Sequence, residues 1–488
     1  MPLANDFAPR HRTGLRISHG RITLVFYNEP SPCGGNCLYC IRQPGFTKSV
    51  LSNEDTLLAK NCNWDASCQI DARFRQYELT RGRGNKYDIR IKGDSFTNHD
   101  PRYLVQYFKG LYDYLNGETS DDFDEARAKQ MDAPDRCVWV QVETRPDQIT
   151  EDWCRTLSRL GVNTVELGVQ CLDDEVLMTN RRGHGTAEVR SATRLLREHG
   201  FEVGYHMMVG LPGSSDELDY EVLTERLWSP DYSPDCMKIY PCLLLRDHRL
   251  QRQLARLAGR REWDVLTDER YLELLNAVYP GIPPSVHVNR IQRLIPPEDI
   301  EYGPKQVIDR RIFDGISRCL WQRSLAQTGY STSGDFRDYR VSSIPYGTGY
   351  CIEATVDGGR VVLGYARLTV IDGGVGLVRD LRVLGDMVPV GATSRDGPQH
   401  IGIGGAMMRE MELVAIGEGC RHLRICPPAG TVRYLESLGF RPDGAYHLRK
   451  GLSDRVAMDG PNLDPRVDSL GASVSIGQSD RGVGVGRP

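Results

Sequence analysis

From residue 22 to residue 240, short runs of β-branched and apolar residues alternate with longer stretches whose apolar positions recur at helical spacing. The runs predict strands over 22–26, 88–92, 138–143, 164–169, 203–208 and 237–240; the amphipathic stretches predict helices such as 101–115 and 187–199. Repeated strand–helix units demand a parallel sheet, and the natural closure is a partial (β/α) barrel with its chemistry at the C-terminal strand ends. Gly93, Asp94, Ser95, Glu143, Gln170, His206 and Lys238 fall there. A second pattern starts near residue 346. Runs over 350–356, 361–368 and 376–383 read as antiparallel strands with Gly-rich turns, followed by a helix over 406–416 and a strand over 422–426. The expected division is a barrel with an N-terminal extension over 1–310, a linker over 311–345, a second module over 346–452, and a disordered tail over 453–488, where periodic apolar content fades.

Composition narrows this picture. The chain has 488 residues, 40% of them apolar, and no run long enough to span a bilayer, so two or three soluble domains are expected. A net charge of −4 gives no global attraction to a polyanion, so any such contact must be local. Two basic stretches qualify: one holds Arg73, Arg75, Arg81, Arg83, Lys86, Arg90 and Lys92, the other Arg246, Arg249, Arg252, Arg256, Arg260 and Arg261. Solvated helix faces look similar, so each stretch is a candidate for phosphate contact and no more.

Cys33, Cys37 and Cys40 carry the most specific chemistry, in the spacing C-x-x-x-C-x-x-C. Three thiolates hold three irons of a [4Fe-4S] cluster and leave the fourth open to a ligand, which suits radical chemistry on S-adenosylmethionine. Zinc is the competing reading, but the next thiols, Cys62 and Cys68, sit in a loop-like polar stretch unlike a zinc knuckle. A disulfide scaffold fits less well, since most of the fourteen cysteines stand singly in apolar runs, and a reduced cytoplasm is expected. In the second module, Gln399-His400-Ile401-Gly402-Ile403-Gly404 opens a helix, exposing backbone N–H groups at its positive end, which suits a pyrophosphate. With Tyr434 and Gly439 further on, this order of elements resembles the acyl-CoA cradle of GNAT acetyltransferases.

Taken together, these features resemble the catalytic subunit of Elongator and its single-chain relatives, the tRNA uridine carboxymethyltransferases. The likeness runs from about Arg12 to Leu452 and is strongest in Val142-Glu143-Thr144-Arg145-Pro146-Asp147, Val165-Glu166-Leu167-Gly168-Val169-Gln170, Thr179-Asn180-Arg181-Arg182-Gly183-His184, Met237-Lys238-Ile239-Tyr240-Pro241 and Arg379-Asp380-Leu381-Arg382-Val383. The fold class it implies is α/β: a partial (β/α) radical S-adenosylmethionine barrel followed by a GNAT acetyltransferase-type α+β domain. The implied reaction is carboxymethylation at C5 of a tRNA wobble uridine, with S-adenosylmethionine as radical source and acetyl-CoA as carbon donor. A radical of that kind needs both cofactors and the base in one closed, dry site.

The resemblance also implies roles. Cys33, Cys37 and Cys40 ligate the cluster; Gly93, Asp94, Ser95, Glu143 and Gln170 contact S-adenosylmethionine; Gln399, Gly402, Ile403 and Gly404 bind acetyl-CoA. Tyr434 is placed near the CoA sulfur, and Tyr434, Lys238 and His206 are the catalytic candidates. Arg290 and Arg293 would steady a phosphate or carboxylate. Implied partners are tRNA, an electron donor protein, and Elongator-like subunits or a second copy of the chain, with no membrane. Some features depart from the family. Gly93-Asp94-Ser95-Phe96 replaces Gly-Gly-Thr-Phe, few residues precede Cys33, only Cys319 remains of a zinc-binding segment so that no zinc is expected, and the insert over 61–84 is unlike the usual basic helix. Because these changes fall on RNA-gripping parts, the alternative acceptor is a free nucleoside or nucleotide; a protein that acetylates only is the third reading.

Overall fold

A computed structural model describes residues 21–31, 33–46, 51–80, 84–93, 95–293, 295–331, 336–390, 392 and 397–452. Asp94, Arg81, Arg83 and the tail over 453–488 lie outside them. Seven parallel strands form the first sheet in chain order: β1 Ile22–Tyr27, β2 Lys86–Lys92, β3 Arg136–Thr144, β4 Thr164–Gln170, β5 Glu202–Val209, β6 Cys236–Pro241 and β7 His287–Arg290. This is the partial barrel, with helices covering its outside. Sequence reading misses only β7, whose four residues are too short to show a period.

Side chains alternate across a strand, and here the alternation separates two chemistries. Tyr87, Ile89 and Ile91 of β2, Val140 and Val142 of β3, Val165, Leu167 and Val169 of β4, and Val203, Tyr205 and Met207 of β5 join one continuous apolar core under the helices. The alternate positions are polar: Asp88, Arg90 and Lys92; Gln141 and Glu143; Thr164, Glu166 and Gln170; Glu202 and His206; Lys238. They bond across neighbouring strands, as in Trp139 Nε1 to Thr164 Oγ1 at 2.7 Å and Thr164 Oγ1 to Glu202 Oε2 at 2.5 Å. Parallel strands covered on both faces usually read as apolar throughout. These do not, because their inner face lines a polar lumen.

The helices end where local chemistry ends them. Asp100 caps Pro101–Asn116 with Pro at its first turn, and Gly117 closes it at φ 74°. Thr150 caps Glu151–Leu160, closed by Gly161 at φ 80°.

The second sheet runs β8 Arg340–Tyr346, β9 Gly349–Val356, β10 Val361–Ile371, β11 Val375–Val383, β12 His422–Ile425, then β14 Leu448–Gly451 and β13 Arg441–Pro442 at the far edge. The β11–β12 pair is parallel and the rest antiparallel. β8 falls inside the stretch read as linker; its alternation is hidden because its residues are mostly half-exposed or exposed. Helix Ile403–Gly417 packs across the sheet through Ile403, Met407, Met408 and Met411.

Where the two sheets meet, charge replaces apolar packing. Arg367 is fully buried and reaches Glu202 Oε1 (3.1 Å) and the Asp235 and Ser285 carbonyls (both 2.9 Å), and it pairs with Asp380. Arg379 pairs with Asp235, and Arg382 bonds Glu202 Oε2 at 2.5 Å while lying over the Trp139 ring at 4.2 Å. Glu202 begins β5, Asp235 immediately precedes β6 and Ser285 lies just before β7. The second module therefore caps the N-terminal ends of the barrel strands.

Candidate functional site

The cysteine loop follows β1, at the C-terminal end of the barrel. Cys37 is buried; Cys33 and Cys40 are half-buried. The loop is fixed from below, for Leu38 N–H donates to Asn180 O (3.2 Å) and Gln251 Nε2 donates to Tyr39 O (2.8 Å). Its sulfurs face donors: Gly35 N–H lies 3.4 Å from Cys33 Sγ and Arg182 Nη1 3.5 Å from Cys37 Sγ. Three thiols on one loop, two of them with hydrogen-bond donors aimed at the sulfur, are a donor set that fits an iron–sulfur cluster.

Inside the lumen just below, five side chains from five strands converge. Lys92 pairs with Glu143 and lies 3.2 Å from Glu166 Oε2; Lys238 pairs with Glu166 and lies 3.1 Å from Glu143 Oε1. His206 Nε2 stands 3.0 Å from both Glu166 Oε2 and Lys238 Nζ. Register explains the meeting: Glu143 pairs with Glu166 across β3 and β4, and His206 with Lys238 across β5 and β6. Burial opposes charge throughout, yet the lysines outweigh it and hold the Glu143 carboxyl at about 2 and Glu166 well below the usual range. Burial, helped by the Lys238 ammonium, lowers His206 below 6.5 and favours its neutral form. Burial also lowers Lys92, whereas the two carboxylates hold Lys238 above its ordinary value despite burial. The ligand atoms of Glu143, Glu166 and His206 lie within 4.8 Å of one another, but two ammoniums already fill this metal-like cluster. Lys92 and Glu166 are absent from the sequence-based site; the alternation Asp88, Arg90, Lys92 is the signal that finds the first.

The other predicted residues separate by position. Gly93 follows β2, and Ser95 Oγ is engaged with Thr144 Oγ1 (2.8 Å), Thr97 Oγ1 (3.3 Å) and Gln148. Gln170 ends β4, buried, at φ 75°. Arg290 is exposed at the end of β7, and Arg293 lies over the Tyr240 ring at 5.8 Å.

The glycine turn lies elsewhere. β11 pairs with β12 only over Val375 to Val378 but runs on to Val383, so the two strands part. Gln399 Nε2 donates to Val383 O (3.0 Å) and holds the turn at that parting. Gln399 Oε1 accepts from Val388 N (3.2 Å) and Lys86 Nζ (3.4 Å), so the side chain expected to touch acetyl-CoA is instead a brace. Gly402 caps the helix at φ 92°, which a side chain adopts only with strain. A methyl group at Gly404 would stand 2.3 Å from the Tyr434 hydroxyl. Tyr434 is an exposed residue whose hydroxyl stands against the turn, and the desolvation there pushes its pKa up to about 12.

Lys86, which touches Gln399 and lies 3.3 Å from His400, begins β2. The glycine turn therefore abuts the N-terminal end of the barrel and the cysteine loop its C-terminal end. This departs from the expectation of both cofactors in one closed site: parallel strands of six to nine residues, roughly 20–30 Å, separate the cysteine loop from the glycine turn. The physical reason is the buried Arg367, Arg379 and Arg382 network, which seats the second module on the strand starts.

Two further expectations change. The stretch holding Arg73 to Lys92 is no basic patch among the described residues: Arg73 pairs with Asp55, Arg75 with Asp71, Arg90 with Asp88, and Lys92 is in the lumen. Its first half is helix Ala66–Thr80 and its second half β2, and the two periods scatter the charges. Cys62 and Cys68 are not spare loop thiols; a disulfide joins them, with Cys62 capping helix Glu54–Asn61 and Cys68 inside the next helix. The second basic stretch does cluster. Arg246, Arg249, Arg252 and Arg256 line a cavity of about 940 Å³ whose wall includes Cys37 and Cys40. No helix among the described residues is long and apolar enough to cross a membrane.

Comparison with known proteins adds relatives to this geometry. The Radical SAM superfamily model matches residues 105–222, and the Radical_SAM C-terminal domain model residues 234–322. A tRNA uridine(34) acetyltransferase of Dehalococcoides mccartyi is 29% identical over 462 residues, 88% of this chain and 98% of that protein. Elongator complex protein 3 of Homo sapiens is 26% identical over 474 residues, 89% of this chain and 85% of that one. The solved structure of Methanocaldococcus infernus Elp3 with an N-terminal deletion has a TM-score of 0.74 at 26% identity, covering 89% of this chain and 100% of that one.

Proposed function

This chain is an enzyme of the radical S-adenosylmethionine acyltransferase type that resembles the Elongator catalytic subunits over most of its length, and from that premise we propose that it carboxymethylates the wobble uridine of a tRNA with acetyl-CoA as carbon donor. The observation that carries the reading is the cysteine loop at the C-terminal strand ends, with Gly35 N–H and Arg182 Nη1 directed at the sulfurs of Cys33 and Cys37.

Cys33, Cys37 and Cys40 would hold the cluster, which when bound supplies the electron that cleaves S-adenosylmethionine to a carbon radical. The backbone N–H groups of Gly402, Ile403 and Gly404 open helix Ile403–Gly417 and bind the pyrophosphate of acetyl-CoA. Lys92, Glu143, Glu166, His206 and Lys238 would form the polar wall of the reaction site, with the neutral His206 the group there that can accept a proton. The exposed Arg246, Arg252 and Arg256 beside the cysteine loop, with Arg249 held by Asp247, favour a polyanionic acceptor over a free nucleotide, because a single phosphate does not need three guanidiniums.

The test is anaerobic reconstitution followed by incubation with S-adenosylmethionine, dithionite and acetyl-CoA, offering tRNA and uridine nucleotides in parallel. Mass analysis should show a carboxymethyl group on tRNA alone. Modification of the nucleotides instead would establish the alternative acceptor, and a protein that takes up no iron would end the radical reading.

A further inference from the structure

Arg145 and Arg182, in the motifs Glu143-Thr144-Arg145-Pro146-Asp147 and Thr179-Asn180-Arg181-Arg182-Gly183-His184, have no part in the steps above. Both are buried, and both end at the cysteine loop. Arg182 donates from Nε to Gly168 O at 3.2 Å and from Nη1 toward Cys37 Sγ at 3.5 Å. Arg145 is gripped by Asp147 through Nε (3.0 Å) and Nη2 (2.9 Å), which leaves Nη1 buried with no hydrogen-bond partner among the described residues. That Nη1 lies 2.5 Å from where a methyl group at Gly35 would stand, a point itself 3.3 Å from Cys33 Sγ. The turns lock together, since Leu38 of the cysteine loop bonds Asn180 O and a methyl at Gly183 would stand 3.1 Å from Arg145 Nη2.

We propose that Arg182 and Arg145 are positioning residues that raise the reduction potential of a cluster held by Cys33, Cys37 and Cys40, Arg182 acting at Cys37 and Arg145 at the turn of Cys33 and Gly35. The inference rests on the proposed function. Taking up one electron adds a negative charge to a buried site, and fixed cations and hydrogen bonds at the sulfurs favour that charge. Arg182 dominates. Its other hydrogen-bond partner is the neutral Gly168 carbonyl and Asp147 acts on it only through space, whereas Asp147 bonds Arg145 directly at two nitrogens and cancels more of its charge.

The experiment is an EPR-monitored titration with dithionite, without S-adenosylmethionine, on reconstituted parent, Arg182→Met, Arg182→Lys and Arg145→Met. At the potential where the parent is half reduced, Arg182→Met should show a reduced-to-oxidised ratio about tenfold lower, a shift of ~59 mV for a one-electron couple. Arg182→Lys should recover most of it, and Arg145→Met should shift the ratio less than Arg182→Met. Parental potentials in all three overturn the inference, as does a weakened S-adenosylmethionine affinity at parental potential, which would assign the pair to that co-substrate. If Arg182→Met holds no iron, Arg182→Gln and Arg145→Met decide on the same criterion. A parent that binds no iron refutes the functional reading itself, a different result from an unshifted potential.

Discussion

Lys238 stands between two carboxylates in a site that water barely reaches, and if it is lost Glu143 and Glu166 keep Lys92 as their one cation, with the neutral His206 beside them. Lys238→Met should therefore destabilise the protein by about 3 kcal/mol, because an unpaired buried carboxylate costs more than the pair contributes. Adding Glu166→Gln should recover part of the loss in thermal unfolding. His206 makes the same site sensitive to pH. Its folded pKa lies below 6.5, so the unfolded chain binds more protons in the window beneath 6.5, and stability falls as pH drops through it. His206→Gln should flatten that slope below about pH 6.5; an unchanged slope would place the titration elsewhere. At the other end of the barrel strands, Gly404→Ala sets a methyl group against the Tyr434 hydroxyl. Its acetyl-CoA affinity should fall about tenfold, on the order of 1.4 kcal/mol, with partial return in Gly404→Ala combined with Tyr434→Phe, read by calorimetry.

At the scale of elements, the barrel strands were legible because their apolar face alternates cleanly; predicted and observed strands agree to within two residues or so at most ends, as for 164–169 against Thr164–Gln170. β7 and β8 were not, being short or half-exposed, so neither carries a period-2 signal strong enough to stand alone. The junction between modules rests on a few ion pairs from β10 and β11 to the starts of β5 and β6. Arg367→Met leaves Glu202, Asp235 and Asp380 short of a cation in a fully buried place. It should cost about 3–5 kcal/mol and split one unfolding transition into two, as the barrel and the second module lose their common lock. A single transition at the parental midpoint would show that apolar contact, not charge, joins them.

For the whole molecule, a net charge of −4 gives no overall pull on a polyanion, so the proposed tRNA contact depends on local charge such as the arginine-lined cavity beside Cys37 and Cys40. Replacing Arg252 and Arg256 together by Glu should weaken tRNA binding at every sequence and reduce the slope of log K against log salt by about 2. An unchanged slope would move the RNA to another face.

The residue spacing alone determined the cluster-type triplet, the glycine turn before a helix, and the succession of parallel units, because each is written within a few consecutive positions. Only the tertiary structure decided that Lys92, Glu143, Glu166, His206 and Lys238 share one network, that Arg145 and Arg182 reach the cysteine loop, and that the cysteine loop and the glycine turn lie at opposite ends of the barrel strands. Those meetings join residues tens to hundreds of positions apart, and strand register and the packing of one module on another, neither of which leaves a local trace, bring them together.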